Sequence, residues 1–518
     1  MKKFHKAKLL YYPLAALVCI SIGVIVWRER MAVLNAIYTV GVPDYWETLT
    51  PPLQHSLVGD AVIEYQVEPL VRMGEQGVME PLSAKSWEFS GDRRKLTFKI
   101  DTTSRFSDGS FLCAEDFKRS WEDGLRMTPK SSNSSLADGL GNIKGYADFK
   151  KKGGIEGIKV IGKDTLLLEF NKPIRLALKY LSVGRSSVYK MAGKDIIGTG
   201  PYVITEKNKE LILTPNAYYT GGKPALKKVK IIVVPPETIR SEMESGKIDA
   251  YLFAEMANLP GCDDGTMGSI RCARGQEASH SFIQINGLKG HFFSDSKHRL
   301  AFQALVIKHI QEVEKRFSAR GFMRDNQSFL KFQAGRVSEA EAQAIIRSGE
   351  QYIDRLTKAT KKTPLSLAST ATGRSWLIDS LQKDGVQFTK SSQKDYEFKD
   401  LLAMCYKTSA PDILPMTASV SDGDPDGLYH LIGRHGAIFS PMTERKKVCD
   451  GMESGRQLLD ISKLAPHYQQ VSRDILKEVP YVHLGYFYRR MAYNAGRLQV
   501  NEKILGRNNP NIMLLKPR

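Results

Sequence analysis

An α/β protein of two or three domains, tethered by one N-terminal transmembrane helix, is what this sequence predicts. Three observations carry the prediction. The first is size, since 518 residues with 42% hydrophobic and 25% charged content are ordinary globular composition at a length beyond one small core. The second is the stretch Gly198–Pro235, where glycine turns, strand-like runs and a following helix candidate alternate. The third is an apolar segment, Leu9–Trp27, directly behind a basic N-terminus.

Lys2, Lys3, Lys6 and Lys8 precede Leu9–Trp27, a run long enough to span a hydrocarbon core as a helix. Tyr11, Tyr12 and Trp27 stand near its ends, where aromatic rings favour the interface, and the lysines predict a cytoplasmic N-terminus with an exported remainder. A cleaved signal peptide would have a shorter apolar core and a small-x-small site, which Ala36 supplies only weakly. Cys19 does not suit a lipoprotein, because Val18 precedes it and the apolar run continues beyond it. The expectation is an uncleaved signal anchor, with release after cleavage as the alternative.

Ala32–Gly41 reads as an apolar first strand that ends in Val42-Pro43-Asp44-Tyr45-Trp46. Leu96–Ile100 alternates as a half-buried strand. Phe106-Ser107-Asp108-Gly109-Ser110 supplies a hairpin turn, and a helix follows with Glu115 and Asp116 in its first turn, where the dipole favours acids. Cys113 stands at the N-cap, so a weak cap is expected. Asp108, Glu115 and Asp116 resemble paired catalytic acids, but turn and helix-start chemistry accounts for all three. Thr128–Asp138 is polar and reads as a loop.

Gly198-Thr199-Gly200-Pro201 reads as a tight turn in which glycines take backbone angles closed to other residues. Tyr202–Glu206 and Glu210–Thr214 flank Lys207-Asn208-Lys209 as a hairpin. Val229–Val234 is a β-branched run stopped by Pro235-Pro236, and Glu237–Glu244 reads as a helix ended by Gly246. Further on, Phe282–Asn286 reads as a strand, Val337–Lys358 as an Ala/Glu/Arg-rich helix, and Tyr468–Pro480 as an amphipathic helix.

The charge balance of 75 basic to 56 acidic residues gives +19. These cations are scattered, and no basic run interleaved with aromatics points to nucleic acid; attraction to lipid head groups is the simpler use of the charge. The six cysteines show no metal-finger spacing. Cys262 and Cys272 flank a Gly/Asp-rich loop, to be closed as a disulfide in an oxidising compartment or left as two free thiols. Histidines are scattered, with His430 and His435 near the acidic stretch Ser421–Asp426 as candidate contacts to a metal chelate or plain surface residues. No Ser-His-Asp order, GxSxG, phosphate loop or HExxH motif occurs, so no catalytic residue, metal site or cofactor is expected.

Several of these motifs together resemble the extracellular solute-binding proteins of ABC transporters, the peptide/nickel-binding family 5. GTGPY followed by an NPxYxGGKPxL-like segment, Glu68-Pro69-Leu70-Val71, Leu82–Glu88 and the FSDGS…AEDF segment carry the resemblance. It weakens between about 311 and 370 and recovers at Trp376–Phe388, Asp424-Pro425 and Leu476–Arg490. The resemblance implies a bilobal periplasmic-binding-protein fold of type II, with the extra subdomain of the oligopeptide/dipeptide-binding class. Its implied divisions are 1–30 for the cytoplasmic end and anchor, 31–66 and 196–285 for lobe I, and 67–195 for the extra subdomain. Residues 286–484 would form lobe II, and 485–518 would return to lobe I.

The implied function is capture of a peptide or other small polar solute by the substrate-binding component of an importer, delivering to permease subunits. The implied setting is the periplasmic face of the bacterial inner membrane, with a monomeric protein held there by its N-terminal helix. Val42, Pro43, Asp44, Tyr45 and Trp46 would line the cleft. In peptide-binding members an acid three positions before the Asp of the Asp-Pro pair meets the peptide's amino terminus. Here that position is Ser421, with Asp422 one residue late and Asp424 in the pair itself. A hydroxyl does not replace the charge, since a charge-assisted bond is about twice as strong as a neutral one. The alternatives are a metal chelate or other non-peptide ligand, or an anchored sensor or scaffold that reuses the fold without transport.

Overall fold

The computed structural model describes residues 36–518 apart from 47, 55, 75–77, 129–134, 332, 370, 397, 406–408, 420–423, 434–444 and 502–510. Leu9–Trp27 lies outside the described residues, and among those described no helix is long and apolar enough to cross a membrane. The chain enters through β1 (Tyr38–Val42), whose Tyr38, Val40 and Val42 are buried in the first core. Helix α1 (Leu57–Ile63) follows, capped by the Ser56 hydroxyl, which accepts from Gly59 N at 3.0 Å.

The chain then builds a separate small unit. Strands β2 (Ala84–Phe89), β3 (Lys95–Ile100), β4 (Ile158–Ile161) and β5 (Thr165–Glu169) form an antiparallel sheet in the order β2-β3-β5-β4. Helix α2 (Ala114–Met127) seats Phe117 and Trp121 in its core. Two of the three acids of the FSDGS…AEDF motif bond locally, and Glu115 stands in the first turn of α2. Asp108 accepts from Ser110 N at 2.9 Å, and Asp116 accepts from Cys113 N at 2.9 Å and from Arg119 at 2.7 Å. The cap is therefore supplied by Asp116 reaching back, with the Cys113 thiol donating to the same carboxylate at 3.2 Å. Glu122, buried one helical turn on, receives Ile155 N at 2.8 Å and pins the loop before β4.

The return path is β6 (Tyr202–Lys207), β7 (Glu210–Pro215), β8 (Val229–Val233), α3 (Ile239–Glu244) and β9 (Ala250–Leu252). Gly198 and Gly200 do not work as the sequence suggests. Neither has a positive φ; both lie against the backbone of Gln66, where a Cβ on Gly198 would stand 1.9 Å from Gln66 O and one on Gly200 2.5 Å from Gln66 C. The close approach lets Gly200 N and Tyr202 N donate to Gln66 O and Tyr65 O, each at 2.9 Å. The requirement is contact, not torsion.

Strand β10 (Ile270–Ile285) carries the chain out of the first core. Then come α4 (Ser296–Lys308), β11 (Phe322–Arg324), α5 (Glu339–Arg347), α6 (Ile353–Lys362), α7 (Ala371–Lys383) and β12 (Ile413–Ser419). Helices α8 (Lys446–Gln457) and α9 (Leu464–Glu478) precede β13 (Tyr481–Asn494). The single helix expected over Val337–Lys358 is broken at Gly349. That residue passes so close to α4 that a Cβ would lie 2.2 Å from Leu300 O, and α5 and α6 stand on either side of the break.

One nine-stranded sheet runs through the molecule in the order β6-β7-β8-β1-β9-β13-β10-β12, with β11 on β13. Strand β1 is parallel to β8 and β9, and all pairings of β13 are antiparallel. The long strands β10 and β13 belong to two cores at once. Ile270 and Met491 are buried with lobe I, whereas Ile283, Ile285, Val482 and Leu484 are buried with the α4 and α7 side of lobe II. Register shifts in the β10–β13 ladder fall between Arg274 and Phe282, where the strands leave one core for the other. At the lobe I end Cys262 and Cys272 are joined as a disulfide with Cα atoms 5.2 Å apart. The buried Glu255 accepts from Arg489 at 2.6 Å and from Arg490 N at 2.9 Å.

His280 on β10 and His483 on β13 face one another within this irregular stretch, at its last shift, with ring centroids 5.1 Å apart and Tyr486 4.8 Å from each. Both are buried, and their ring nitrogens have no hydrogen-bond partner among the described residues. Burial drives the pKa of His280 down to about 3; burial, then His280 and Arg336, lower that of His483.

Two outcomes are expected of this framework. Gly198→Ala costs about 3 kcal/mol or more in urea unfolding, because backbone rather than a movable side chain meets the new methyl. Gly91→Ala, with open space around it, changes stability by less than about 0.5 kcal/mol. An unfolded histidine titrates near 6.5, so below that pH the unfolded chain takes up protons that folded His280 refuses until about pH 3. Stability therefore falls as pH drops from about 6.5 toward 3, by up to ~1.4 kcal/mol per pH unit per histidine. Unfolding of the wild type and of His280→Leu at pH 7, 6, 5 and 4 should show a slope shallower by about one proton in the variant.

Candidate functional site

In open sheets containing parallel strands the binding crevice lies beyond the carboxyl ends of those strands. Here the carboxyl ends of β1, β8 and β9 point toward the region where β10 and β13 pass into lobe II. Three parts of the chain bear on that region: the end of β1, the extra unit, and the turn that begins at Asp424.

The end of β1 is divided between core and surface. Val42 and Trp46 are buried in lobe I, and the Trp46 carbonyl accepts from Gln54 at 3.1 Å. Pro43 is half-buried, while Asp44 and Tyr45 are exposed. The Tyr45 ring meets Trp46 edge-on at 5.9 Å and has the Lys209 ammonium 5.5 Å above it. Of the five residues expected to line the cleft, the structure thus leaves Asp44 and Tyr45 open to a ligand and makes Val42 and Trp46 their support.

The extra unit is fixed to lobe I. Arg185 clamps Asp60 of α1 with both nitrogens, Nε at 2.7 Å, and Tyr219 donates to Glu68 at 2.8 Å. These bonds tie the unit to lobe I. Its last helical turn, Ala177–Tyr180, then faces the other lobe.

Across from that turn stands the acidic segment. Asp424 caps the 3-10 helix Pro425–Leu428, accepting from Asp426 N at 2.9 Å, and its backbone carbonyl accepts from Gln333 of lobe II at 3.1 Å. The outer face of the same carboxylate receives the Arg175 guanidinium through both terminal nitrogens, one at 3.2 Å. Asp426 is fully buried. Its carboxylate accepts from Tyr180 Oη at 2.9 Å, lies 3.4 Å from Lys179 Nζ, and pairs on its other oxygen with Arg456 of α8 at 3.2 Å. Arg456 also donates to Tyr180 Oη at 2.5 Å and stacks on Tyr429 at 3.8 Å. Burial alone would raise the Asp424 pKa, but Lys179 and Arg175 hold it below the usual carboxylate range. Arg175 is correspondingly raised: burial opposes its charge and Asp424 outweighs it.

Ser421, Asp422, His435 and the His430 side chain lie outside the described residues. Of the acidic stretch, then, the structure places Asp424 and Asp426, and it brings to them four partners that the sequence did not single out: Arg175, Lys179, Tyr180 and Arg456. Arg175 lies 249 residues from Asp424, and no local pattern marks such a pair. Their spacing is no signal either, because Arg175 stands in the bend before the short helix Ala177–Tyr180, on which Lys179 and Tyr180 are adjacent. Among the described residues no group of three or more His, Cys, Asp or Glu is arranged to hold a metal ion.

Comparison with known proteins bears on the fold. The chain is 27% identical over 225 residues to the periplasmic murein peptide-binding protein MppA of Escherichia coli, covering 40% of this chain and 42% of the relative. It is 29% identical over 200 residues to the nickel-binding periplasmic protein of E. coli, covering 37% and 36%. The aligned stretches thus span about two fifths of the length of these relatives. The fold match is far longer. The DppA periplasmic binding protein of Helicobacter pylori, solved with the peptide STSA, superimposes with a TM-score of 0.75 at 18% identity, covering 93% of this chain and 98% of that one. Residues 78–306 fit the family description "Bacterial extracellular solute-binding proteins, family 5 Middle", and over nearly its whole length the chain has the α/β bilobal fold of solved periplasmic binding proteins.

Proposed function

We propose that the protein captures a peptide or peptide-like solute between its two lobes and delivers it to the permease subunits of an ABC importer, on the periplasmic side of the membrane. The observation that carries this reading is the pair of strands β10 and β13 shared by two cores, with ligand-accessible Asp44 and Tyr45 at the carboxyl end of β1. Such a connection lets two rigid bodies close on a solute by bending at few positions. Tyr45 offers flat contact area at low entropy cost, and an exposed carboxylate beside it suits a donor-rich ligand. The relatives support a peptide first: MppA is named for murein peptide, whereas the nickel-binding relative supports a metal chelate as the second reading.

Native mass spectrometry of the full chain in detergent tests the proposal. A ladder of co-purifying peptide masses, with a thermal shift on adding a peptide library, is the expected result. A single non-peptide adduct sinks the peptide reading in favour of a chelate or other solute, and an empty protein that no library member stabilises sinks transport itself. Substitutions at the end of β1 should separate binding from folding. Tyr45→Ala should weaken peptide binding roughly tenfold, about 1.4 kcal/mol, and leave urea unfolding unchanged. Trp46→Ala should instead cost about 3–5 kcal/mol of stability.

A further inference from the structure

The contacts between the extra unit and lobe II make a connected set that needs no ligand. Arg175 forks onto Asp424. Lys179 and Tyr180, one turn further, reach Asp426. Arg456 of lobe II joins the Tyr180 hydroxyl and the second oxygen of Asp426. The side chains concerned are largely withdrawn from water: Arg175 is 9% exposed, Lys179 11%, Asp424 23%, Arg456 18% and Asp426 not at all. Because the extra unit is bound to lobe I through Asp60 and Glu68, the bonds of Arg175, Lys179 and Tyr180 to Asp424, Asp426 and Arg456 all run from the lobe I side to lobe II.

From this geometry we infer that Arg175, Lys179 and Tyr180 form a built-in latch on Asp424 and Asp426, which holds the lobes closed on one another in the absence of any solute. Closure of a two-lobed binder is ordinarily driven by contacts that a ligand adds to the closed state. Here the chain itself supplies oppositely charged, hydrogen-bonded partners to that state. Asp424 and Asp426 are each oriented from within lobe II, the first by its cap and by Gln333, the second by Arg456. The carboxylates are therefore fixed before the extra unit arrives, and only the Arg175, Lys179 and Tyr180 side chains need ordering as the lobes meet. A solute enters during excursions to the open form, so the latch slows entry and exit together.

Single-molecule energy transfer reads the latch directly and does not depend on knowing the solute. Dyes placed through unnatural amino acids at the exposed positions Lys150 and Lys446 report the separation of the extra unit from α8 in the full chain, stripped of solute by denaturation and refolding. The expected result is a mainly closed population in the wild type. In Arg175→Ala/Lys179→Ala the closed-to-open ratio should fall at least tenfold. Asp424→Asn, which keeps an acceptor for the helix cap and loses the charge, should open the lobes in the same sense and covers the case in which the double variant fails to refold. A wild type already open without solute overturns the inference, and so does an unchanged ratio in folded variants. Failure here leaves the solute-binding proposal standing, because a ligand-driven binder is open when empty.

Discussion

The rest of the molecule depends on one constraint: two strands, β10 and β13, are each long enough to be buried in both lobes. A single ladder therefore links the lobes, and relative motion must be absorbed where that ladder is least regular. The register shifts between Arg274 and Phe282 supply that place, since a bulged strand bends without breaking its remaining bonds. The ends of the crossing are stiffened by different means. On the lobe I side the buried Glu255 is shared by Arg489 and Arg490 N, and Arg490 also reaches Asp263 beside the disulfide at 3.0 Å. On the lobe II side the strands are clamped by apolar burial and by Tyr486, whose hydroxyl bonds the carbonyls of Gln327 and Phe329.

Between those stiff ends sits the histidine pair, and its burial is costly. Neutral imidazoles without partners forfeit hydrogen bonds that water would give them. Their positions on facing strands of the crossing mean that any bend large enough to admit water there would relieve that cost. The same segment thus couples strand geometry to acidity chiefly through burial, with the neighbouring His280 and the Arg336 charge further disfavouring a proton on His483.

Much of the fold was legible because local chemistry repeats family patterns. The Asp108–Gly109 turn, the acids at the start of α2 and the hairpin after Tyr202 are set by neighbours within a few residues, and they were read for the right reasons. Gly198 and Gly200 read as a tight turn for reasons of torsion, but neither has a positive φ, and what excludes a side chain is the Gln66 backbone some 130 residues earlier in the chain. The break at Gly349 was missed on the same ground: composition favours one helix, and only the approach of α4 interrupts it. At the site the division is sharper. Asp424 stands out as part of an Asp-Pro pair, while nothing in the sequence marks Arg175, Lys179 and Tyr180, because what sets them apart is a partner some 250 residues away in another lobe.

The chemistry of the interlobe contact also explains why it is built from charge. A buried ion pair gains little over an apolar contact of similar size, since desolvation offsets most of the attraction. For lobes that open and close under the proposed function, that near balance is useful. When the lobes part, Arg175, Lys179 and Asp424 recover hydration, whereas a parted apolar interface would expose surface at roughly 25 cal/mol per Å². Asp426 and its partner Arg456 belong to the same lobe, so parting of the lobes need not separate that pair. A polar contact with one partner pre-ordered on each side is strong enough to define a closed geometry and shallow enough to be left repeatedly.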